Sequence, residues 1–170
     1  MSSIDHKREA PSQVRCKIIT ISDTRTIETD KSGALMRSLL EGSGHLIVEH
    51  VIVKDEEMLI REAILQGCGQ KEIEVVLTNG GTGIAMRDVT IEAVEKVIDK
   101  EIPGFGELFR MLSYQHDIGS AALLSRAIAG VSDNTAIFAT PGSTGAVKLA
   151  MEKLILPELG HVVREIKKDM

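Results

Sequence analysis

Apolar residues along the chain fall into two patterns, short continuous runs and positions spaced three or four residues apart. The runs predict strands over residues 14–22 and 45–53 and from residue 73, with shorter extended pieces over residues 129–132 and 135–139. The helical spacing predicts helices over residues 32–41, 105–113, 120–127 and 157–167, with three more after Asp55, Thr90 and Ser143. Strands that alternate with helices predict an α/β fold, a three-layer sandwich with a mostly parallel central sheet flanked by helices.

The start of the chain differs from the rest. Residues 1–12 are polar and contain Pro11, which predicts a flexible N-terminal arm. Residues 13–170 are then expected to form a single domain, because a chain of 170 residues suits one hydrophobic core. Within this domain Ser32, Asp55 and Thr90 stand where helices are expected to begin, so each is a candidate helix cap.

Composition excludes several classes of protein. A net charge of −5 argues against a general nucleic-acid binder, and three Phe, one Tyr and no Trp offer few rings on which bases could stack. No apolar stretch reaches the roughly 20 residues that span a bilayer. Cys16 and Cys68 lack metal-ligand spacing and are expected to be reduced thiols. We therefore expect a cytoplasmic protein that binds neither nucleic acid nor membrane.

A glycine-rich turn follows the strand that begins at residue 73. Gly80, Gly81 and Gly83 allow the backbone to approach a ligand, and exposed amides at such a turn favour phosphate or carboxylate. The spacing is not that of a dinucleotide-binding fingerprint, since no third glycine follows at the required interval. No Lys-Ser or Lys-Thr pair marks a P-loop. The pattern predicts an anion site, with a tight strand-to-helix connection as the alternative.

Two carboxylates follow predicted strands and lie near helix starts. Asp55 and Asp88 could face one pocket, where together with phosphate oxygens they would offer an open site for Mg²⁺. Helix capping is the alternative role, and it is weaker for Asp88 because Thr90 is the better cap. Phosphoryl and nucleotidyl transfer depend mainly on positioning and charge stabilisation, so no catalytic base is required.

Further candidates lie at other predicted turns. Ser143 in the turn at residues 140–145 and Ser32 after Asp30 each place a hydroxyl near a helix N-terminus. Arg126 could clamp a phosphate or pair with a structural carboxylate. In a parallel sheet the loops after residues 22, 53, 78 and 139 would meet beyond the carboxyl ends of the strands, where such sheets bind ligands.

Eight ordered sequence blocks resemble the molybdopterin-binding family, which includes MoaB, MogA and the G domain of gephyrin. The blocks are Ser-Asp-Thr at 22–24, Asp-Lys-Ser-Gly at 30–33, Val-Lys-Asp-Glu at 53–56, Thr-Asn-Gly-Gly-Thr-Gly at 78–83, Arg-Asp-Val-Thr at 87–90, Pro-Gly-Phe-Gly at 103–106, Leu-Ser-Arg at 124–126 and Pro-Gly-Ser at 141–143. They span about residues 14–160, nearly the whole chain. Residues 109–113 and 127–131 are most similar to the MoaB branch.

The resemblance implies a function late in molybdenum cofactor synthesis. Active members of the family adenylylate molybdopterin with Mg-ATP, giving adenylylated molybdopterin and pyrophosphate. The family usually assembles as homotrimers or hexamers and acts with other molybdenum cofactor biosynthesis proteins. Phe105, Phe109 and Met111 could serve a subunit contact, although burial within the subunit would explain them equally well.

The resemblance also implies roles for individual residues. Asp88 is the leading catalytic position, with Asp55 as its partner in holding the metal and substrate. The amides of Gly80, Gly81 and Gly83, with Thr82, would hold phosphate. The remaining substrate positions are Ser113, Ser125 and Arg126 on the pterin side, with Ser32 and Ser143. A non-catalytic molybdopterin carrier is the alternative function, although a pure binder would not need both acids.

Overall fold

The computed structural model describes residues 2–170, and a six-stranded sheet lies at its centre. The strands are β1 (Arg15–Ile21), β2 (Leu46–Val53), β3 (Val75–Asn79), β4 (Lys100–Glu101), β5 (Ile128–Ser132) and β6 (Thr135–Thr140), in the spatial order β2-β1-β3-β6-β5-β4. Strands β2, β1, β3 and β6 pair in parallel, whereas β5 is antiparallel to β6 and β4 is antiparallel to β5. The predicted, mostly parallel sheet is therefore confirmed.

Helices cover both faces of this sheet. They are α1 (Ser3–Glu9), α2 (Lys31–Gly42), α3 (Glu57–Cys68), α4 (Thr90–Glu95), α5 (Pro103–His116), α6 (Thr144–Ala150) and α7 (Leu156–Lys167). Side chains of β1 alternate between two cores: Cys16 and Ile18 pack with α2, α5, α6 and α7, while Ile19 and Ile21 pack with α3 and α4. The predicted three-layer sandwich is confirmed.

Several helix lengths differ from the predictions. Helix α5 begins at Pro103 and extends to His116, because proline is well suited to the first helical turn and does not stop the helix there. Helix α4 ends already at Glu95. A 3₁₀ helix over Gly119–Leu124 replaces the helix predicted over residues 120–127, and a π-helical turn over Met151–Ile155 joins α6 to α7.

The three predicted caps are wrong. Asp30 caps α2 by accepting a 2.9 Å hydrogen bond from the Gly33 amide, so Ser32 lies inside the first turn. Helix α3 has Glu56 at its N-cap and α4 has Val89, and neither side chain caps its helix. The side chains of Asp55 and Thr90 are therefore not used as caps. This difference matters for the cleft described below.

The N-terminal segment differs from the predicted flexible arm. Ser2 and Asp5 form a capping box at the start of α1. The helix lies against α7, where Glu9 pairs with Arg164 at 2.6 Å and Lys7 pairs with Glu158. The polar composition therefore reflects ion pairs between two helices as well as contact with solvent.

Two of the three residues considered for a subunit contact lie inside the subunit. Phe105 and Phe109 are buried, and Phe105 packs edge-to-face on Phe138 with ring centroids 5.3 Å apart. Met111 is exposed. Burial within the subunit thus explains the phenylalanines, and only Met111 is left for contact with another chain.

Two further features concern the cysteines and the lengths of the helices. Cys16 and Cys68 are free thiols, and burial raises the pKa of Cys16 to about 12. Across residues 2–170, every helix is too short or too polar to cross a membrane.

Candidate functional site

The carboxyl ends of the parallel strands open into a cleft of about 420 Å³. Its lining comes from all four loops that were predicted to converge, those after β1, β2, β3 and β6, and from the chain just after the 3₁₀ helix. The lining residues include Arg25, Asp55, residues 80–83, Asp88, Ser125 and Gly142. The predicted convergence is confirmed.

The loop after β3 runs so close to the end of β1 that only glycine fits. Gly80 has φ +100°, and a Cβ atom there would lie 2.2 Å from the carbonyl oxygen of Ile21. Gly81 has φ +68°, and a Cβ atom there would lie 2.3 Å from Oγ1 of Thr90. Both residues therefore need glycine for conformation and for space.

This loop presents backbone amides to the cleft. The Gly80 amide donates to the carbonyl of Thr140 at 3.1 Å, so it is unavailable to a ligand, contrary to the prediction. Within the described part of the chain, the amides of Gly81, Thr82 and Gly83 donate to no protein acceptor. Three successive amides of this kind suit an anion.

Thr90 and Arg126 hold the glycine loop in place. The Thr90 hydroxyl donates to Gly80 O at 2.9 Å, and the Thr90 amide donates to Gly81 O at 3.0 Å. The Arg126 guanidinium donates to the carbonyls of Thr82, Gly83 and Asp88 at 2.7–3.1 Å. The loop is thus fixed through its carbonyls, while residues 81–83, whose amides have no protein acceptor, line the cleft.

Arg126 forms a structural ion pair, one of the two roles predicted for it. Its Nη1 atom lies 2.6 Å from Oε1 of Glu92 on α4. With this carboxylate and three carbonyls as partners, Arg126 supports the loop. Its role in phosphate binding stays a prediction.

Asp55 and Asp88 flank the glycine loop. A Cβ atom on Gly81 would lie 3.0 Å from Oδ1 of Asp55, and one on Gly83 would lie 2.5 Å from Oδ2 of Asp88. The same Oδ2 of Asp88 accepts a 2.9 Å hydrogen bond from the Ala85 amide. The two predicted acids therefore share one cleft, on either side of the free amides.

A third acid, Asp23, lies beside this pair but is already neutralised. The Arg87 guanidinium binds both of its oxygens, at 2.6 and 2.9 Å, and these hydrogen bonds lower the pKa of Asp23. Asp23 Oδ1 also accepts a hydrogen bond from the Asp55 amide at 3.1 Å. Asp23 therefore links the loops after β1, β2 and β3.

Asp55 is the acid whose ionisation the protein disfavours. Partial burial raises its pKa above the ordinary value of 3.8, and the charges of Asp23 and Asp88 raise it further. A cation bound between Asp55 and Asp88 would relieve this repulsion. Two carboxylates in an open cleft are a donor set that suits Mg²⁺, which usually keeps several waters.

Arg25 lies on the other side of the cleft, where its Nη1 atom is 3.6 Å from Oδ1 of the buried Asp30. Its Nη2 atom donates to Gly142 O at 2.9 Å, and its Nη1 atom donates to the Ser32 hydroxyl at 2.5 Å. Ser32 in turn donates to Asn79 Oδ1 at 2.9 Å inside the core. Ser32 is therefore buried beside Arg25, and its role in substrate binding stays a prediction.

The other predicted serines lie at different depths. Ser125 lines the cleft. Ser113 is buried on α5 and lies outside the cleft lining. Ser143 caps α6 by accepting a 3.1 Å hydrogen bond from the Ala146 amide, beside the lining residue Gly142. Roles for these three in substrate binding stay predictions.

Sequence reasoning missed Arg25, Asp23 and Arg87 as site residues. Asp23 and Arg87 each stand in a block that carried the family resemblance, so their position in those blocks was a usable signal. Arg25 follows directly on the first block. Its contact with Gly142, 117 residues away, has no counterpart in local sequence.

We predict that Asp55→Asn stabilises the metal-free protein near pH 7 by roughly 1–3 °C in its unfolding midpoint. Because folding raises the pKa of Asp55, this residue contributes fully to the free energy of unfolding below its unfolded-state pKa. That contribution is lost as the pH rises through the native-state pKa. Asparagine does not ionise, so the variant does not show this loss of stability. Thermal unfolding in EDTA should show a gain that shrinks as the pH is lowered toward 4. Asp23→Asn is the control of opposite sign, since its lowered pKa stabilises the fold above its ordinary value. A destabilised Asp55→Asn protein at neutral pH would contradict the prediction.

We predict that Arg126→Ala lowers the free energy of unfolding by about 1–3 kcal/mol, because it leaves loop carbonyls without their donor. Urea denaturation measures this loss, and amide hydrogen exchange should become faster at residues 81–83. Arg37→Ala is the matched control: Arg37 makes only an exposed pair with Glu41 at 2.7 Å, so a loss below about 1 kcal/mol is expected. Equal losses in the two variants would show that Arg126 does not support the loop.

Comparison with known proteins identifies the family. Residues 17–161 match the family described as a probable molybdopterin binding domain. Molybdenum cofactor biosynthesis protein B of Bacillus subtilis is 64% identical over 169 residues, which is 99% of each chain. A crystal structure of a protein with that same name has 60% identity and a TM-score of 0.92, over 94% of this chain and 99% of the other.

A more distant structure has the same fold. It is the tungsten cofactor synthesizing protein MoaB from Pyrococcus furiosus, with 36% identity and a TM-score of 0.83 over 93% of this chain and 99% of the other. The resemblance to the MoaB branch is thereby confirmed. The chain belongs to the family of probable molybdopterin-binding domains of molybdenum cofactor biosynthesis.

Proposed function

We propose that the protein adenylylates molybdopterin with Mg-ATP during molybdenum cofactor biosynthesis. One observation carries the proposal: the free amides of Gly81, Thr82 and Gly83 share a cleft with Arg25 and with the acids Asp55 and Asp88. Amides and a guanidinium suit phosphate oxygens, while carboxylates suit the cation that accompanies a nucleotide. The family membership supplies the pterin as the second substrate.

The proposed reaction joins two phosphates. A terminal phosphate oxygen of molybdopterin attacks the α-phosphorus of ATP, forming a new P–O–P bond. The bond between the α-phosphorus and the bridging oxygen breaks, and pyrophosphate leaves with that electron pair. Both reacting groups are already anionic, so the step needs charge stabilisation and alignment and no strong base.

The residues of the cleft have separate tasks in this proposal. The three loop amides and Arg25 bind phosphate oxygens and keep the two phosphates in line. Asp55 and Asp88 would hold Mg²⁺, which when bound neutralises charge on the phosphates. The raised pKa of Asp55 supports this assignment, since burial and the charges of Asp23 and Asp88 disfavour its ionised form and a bound cation would favour it. Ser125 is our candidate contact on the pterin side.

The two acids also separate this enzyme from a non-catalytic carrier. A carrier would need the amides and Arg25 to hold the pterin phosphate. It would gain nothing from Asp55 and Asp88, whose negative charges disfavour an anionic ligand in the absence of a cation. Keeping both acids beside a phosphate site therefore favours catalysis.

We predict that Asp88→Asn lowers the rate of adenylylation about 100-fold or more while leaving pterin binding largely unchanged. Asparagine removes the charge but keeps an oxygen that can accept the Ala85 hydrogen bond, so the loop retains its shape. Purified protein incubated with molybdopterin, Mg²⁺ and ATP should yield adenylylated molybdopterin and pyrophosphate, both of which can be quantified. Asp169→Asn, an exposed acid near the end of α7, is the matched control.

The outcomes distinguish the two functions. Turnover that is lost in Asp88→Asn and kept in Asp169→Asn supports the enzyme and its acid. Pterin binding by the wild-type protein with no product would favour the carrier. Unchanged turnover in Asp88→Asn would reject the catalytic role of that residue.

We also propose that the protein forms a homotrimer or hexamer, as its family resemblance implies. Exposed apolar side chains on α5 and the 3₁₀ helix favour a contact there; Met111 is 45% and Leu123 is 87% exposed. Leu124, which lines the cleft, continues this surface. A neighbouring subunit would then lie beside the substrate.

We predict that the wild-type protein sediments as a trimer or hexamer at low micromolar concentration and that Leu123→Glu with Met111→Glu shifts it to a smaller species. The charged side chains would have to be buried in the contact, which is unfavourable. Met58→Glu is the control, because Met58 is 71% exposed on α3, over the other face of the sheet. A wild-type protein that sediments only as a monomer would overturn the proposal.

A further inference from the structure

A cluster of metal-binding side chains lies where α1 meets α7. His6 of α1 and His161 and Glu165 of α7 place one ligand atom each so that all three atoms lie within 4.8 Å of one another. All three side chains are half-buried, with 23–33% exposure. The cluster takes no part in the glycine-loop cleft described above.

The spacing of these atoms suits a tetrahedral metal ion. His6 Nδ1 lies 3.1 Å and His161 Nε2 lies 3.9 Å from Oε1 of Glu165. Ligands at 2.0–2.2 Å from a tetrahedral zinc ion are roughly 3.3–3.6 Å apart. The two histidine nitrogens lie within 4.8 Å of each other, so shifts of up to about 0.7 Å in each side chain would give the required geometry.

The α7 half of the cluster is already arranged for binding. His161 and Glu165 are four residues apart, so they lie on one face of the helix. His161 Nδ1 lies 2.9 Å from Oε2 of Glu158, a hydrogen bond that leaves Nε2 facing Glu165. A carboxylate that orients a histidine in this way is a common second partner of zinc ligands.

Both oxygens of Glu165 already contact cationic side chains. Oε1 lies 3.0 Å from Nη1 of Arg164, and Oε2 accepts a 3.1 Å hydrogen bond from Nζ of Lys168. A metal ion at Oε1 would take the place of the Arg164 contact, while Lys168 would still hold the other oxygen.

The cluster opens toward a second cleft. His161 and Glu165 line a space of about 630 Å³ together with residues of the β5–β6 turn, Asp133 and Asn134. Strand β6 begins beside that turn, at Thr135, and ends at Thr140 beside the glycine-loop cleft. The two clefts therefore lie at opposite ends of the sheet, and a fourth metal ligand could enter from the second one.

We propose that His6, His161 and Glu165 form a zinc-class metal site that fastens α1 to α7 and keeps one coordination position open to the second cleft. Two imidazoles and one carboxylate favour zinc-like transition metals over Mg²⁺, which prefers oxygen ligands alone. An ion here ties residue 6 to residue 161 and so anchors the N-terminal helix. The site is independent of adenylylation.

Metal titration tests the site directly. Tag-free protein stripped with EDTA is titrated with Co²⁺, whose visible absorption is strong in a tetrahedral site, and then with Zn²⁺ in competition. We expect one ion per chain, and an affinity at least tenfold lower in His6→Ala and His161→Ala, with a loss of about tenfold in Glu158→Gln. His116→Ala, an exposed histidine at the end of α5, should bind as the wild type does.

Two further measurements fix the location of the ion. Zn²⁺ should slow amide hydrogen exchange over residues 3–9 in the wild type and leave it unchanged in His6→Ala, a variant on a solvent-facing helix that should still fold. Asp88→Asn should retain full Co²⁺ affinity. No binding by the wild type, or equal affinity in His6→Ala, would overturn the proposal.

Discussion

The close approach of the chain after β3 to the end of β1 is the constraint on which the glycine-loop cleft depends. A Cβ atom on Gly80 would collide with the carbonyl of Ile21, and one on Gly142 would lie 3.0 Å from the Cα atom of Gly80. The ends of three parallel strands thus touch through backbone atoms alone. Any side chain at Gly80 would push the loop outward and move the free amides away from Arg25.

Charge in this cleft is divided between neutralised and unneutralised acids. Arg87 binds Asp23, and Arg126 binds Glu92 behind the loop. Asp55 and Asp88 form no ion pair with a residue that the structure describes. Partial burial is the largest cause of the raised pKa of Asp55, whereas the hydrogen bonds from Arg87 lower the pKa of Asp23. The net charge of −5 does not reveal this division of charge, because a bound anion interacts mainly with the charges nearest to it.

The fold and the two acids were predictable because they depend on periodicity and topology. Apolar runs predict parallel strands, parallel strands bring their carboxyl ends together, and Asp55 and Asp88 follow such ends. The burial of Ser32 beside Arg25, which lines the cleft, was not predictable. It depends on a buried hydrogen bond between Ser32 and Asn79, which are 47 residues apart in the chain. The role of Arg126 likewise depends on which carbonyls face it, and its own neighbours in sequence do not specify them.

The two hydrogen bonds of Arg25 have a consequence for the thermodynamics of binding. A free arginine side chain loses up to about 2 kcal/mol of rotational entropy when it is fixed by a ligand. Ser32 and Gly142 hold this guanidinium from two sides before any ligand arrives. That entropy is lost when the chain folds, so phosphate binding loses less entropy and its free energy is more favourable. The rim of the cleft is in this sense preorganised, and a bound anion would be released more slowly.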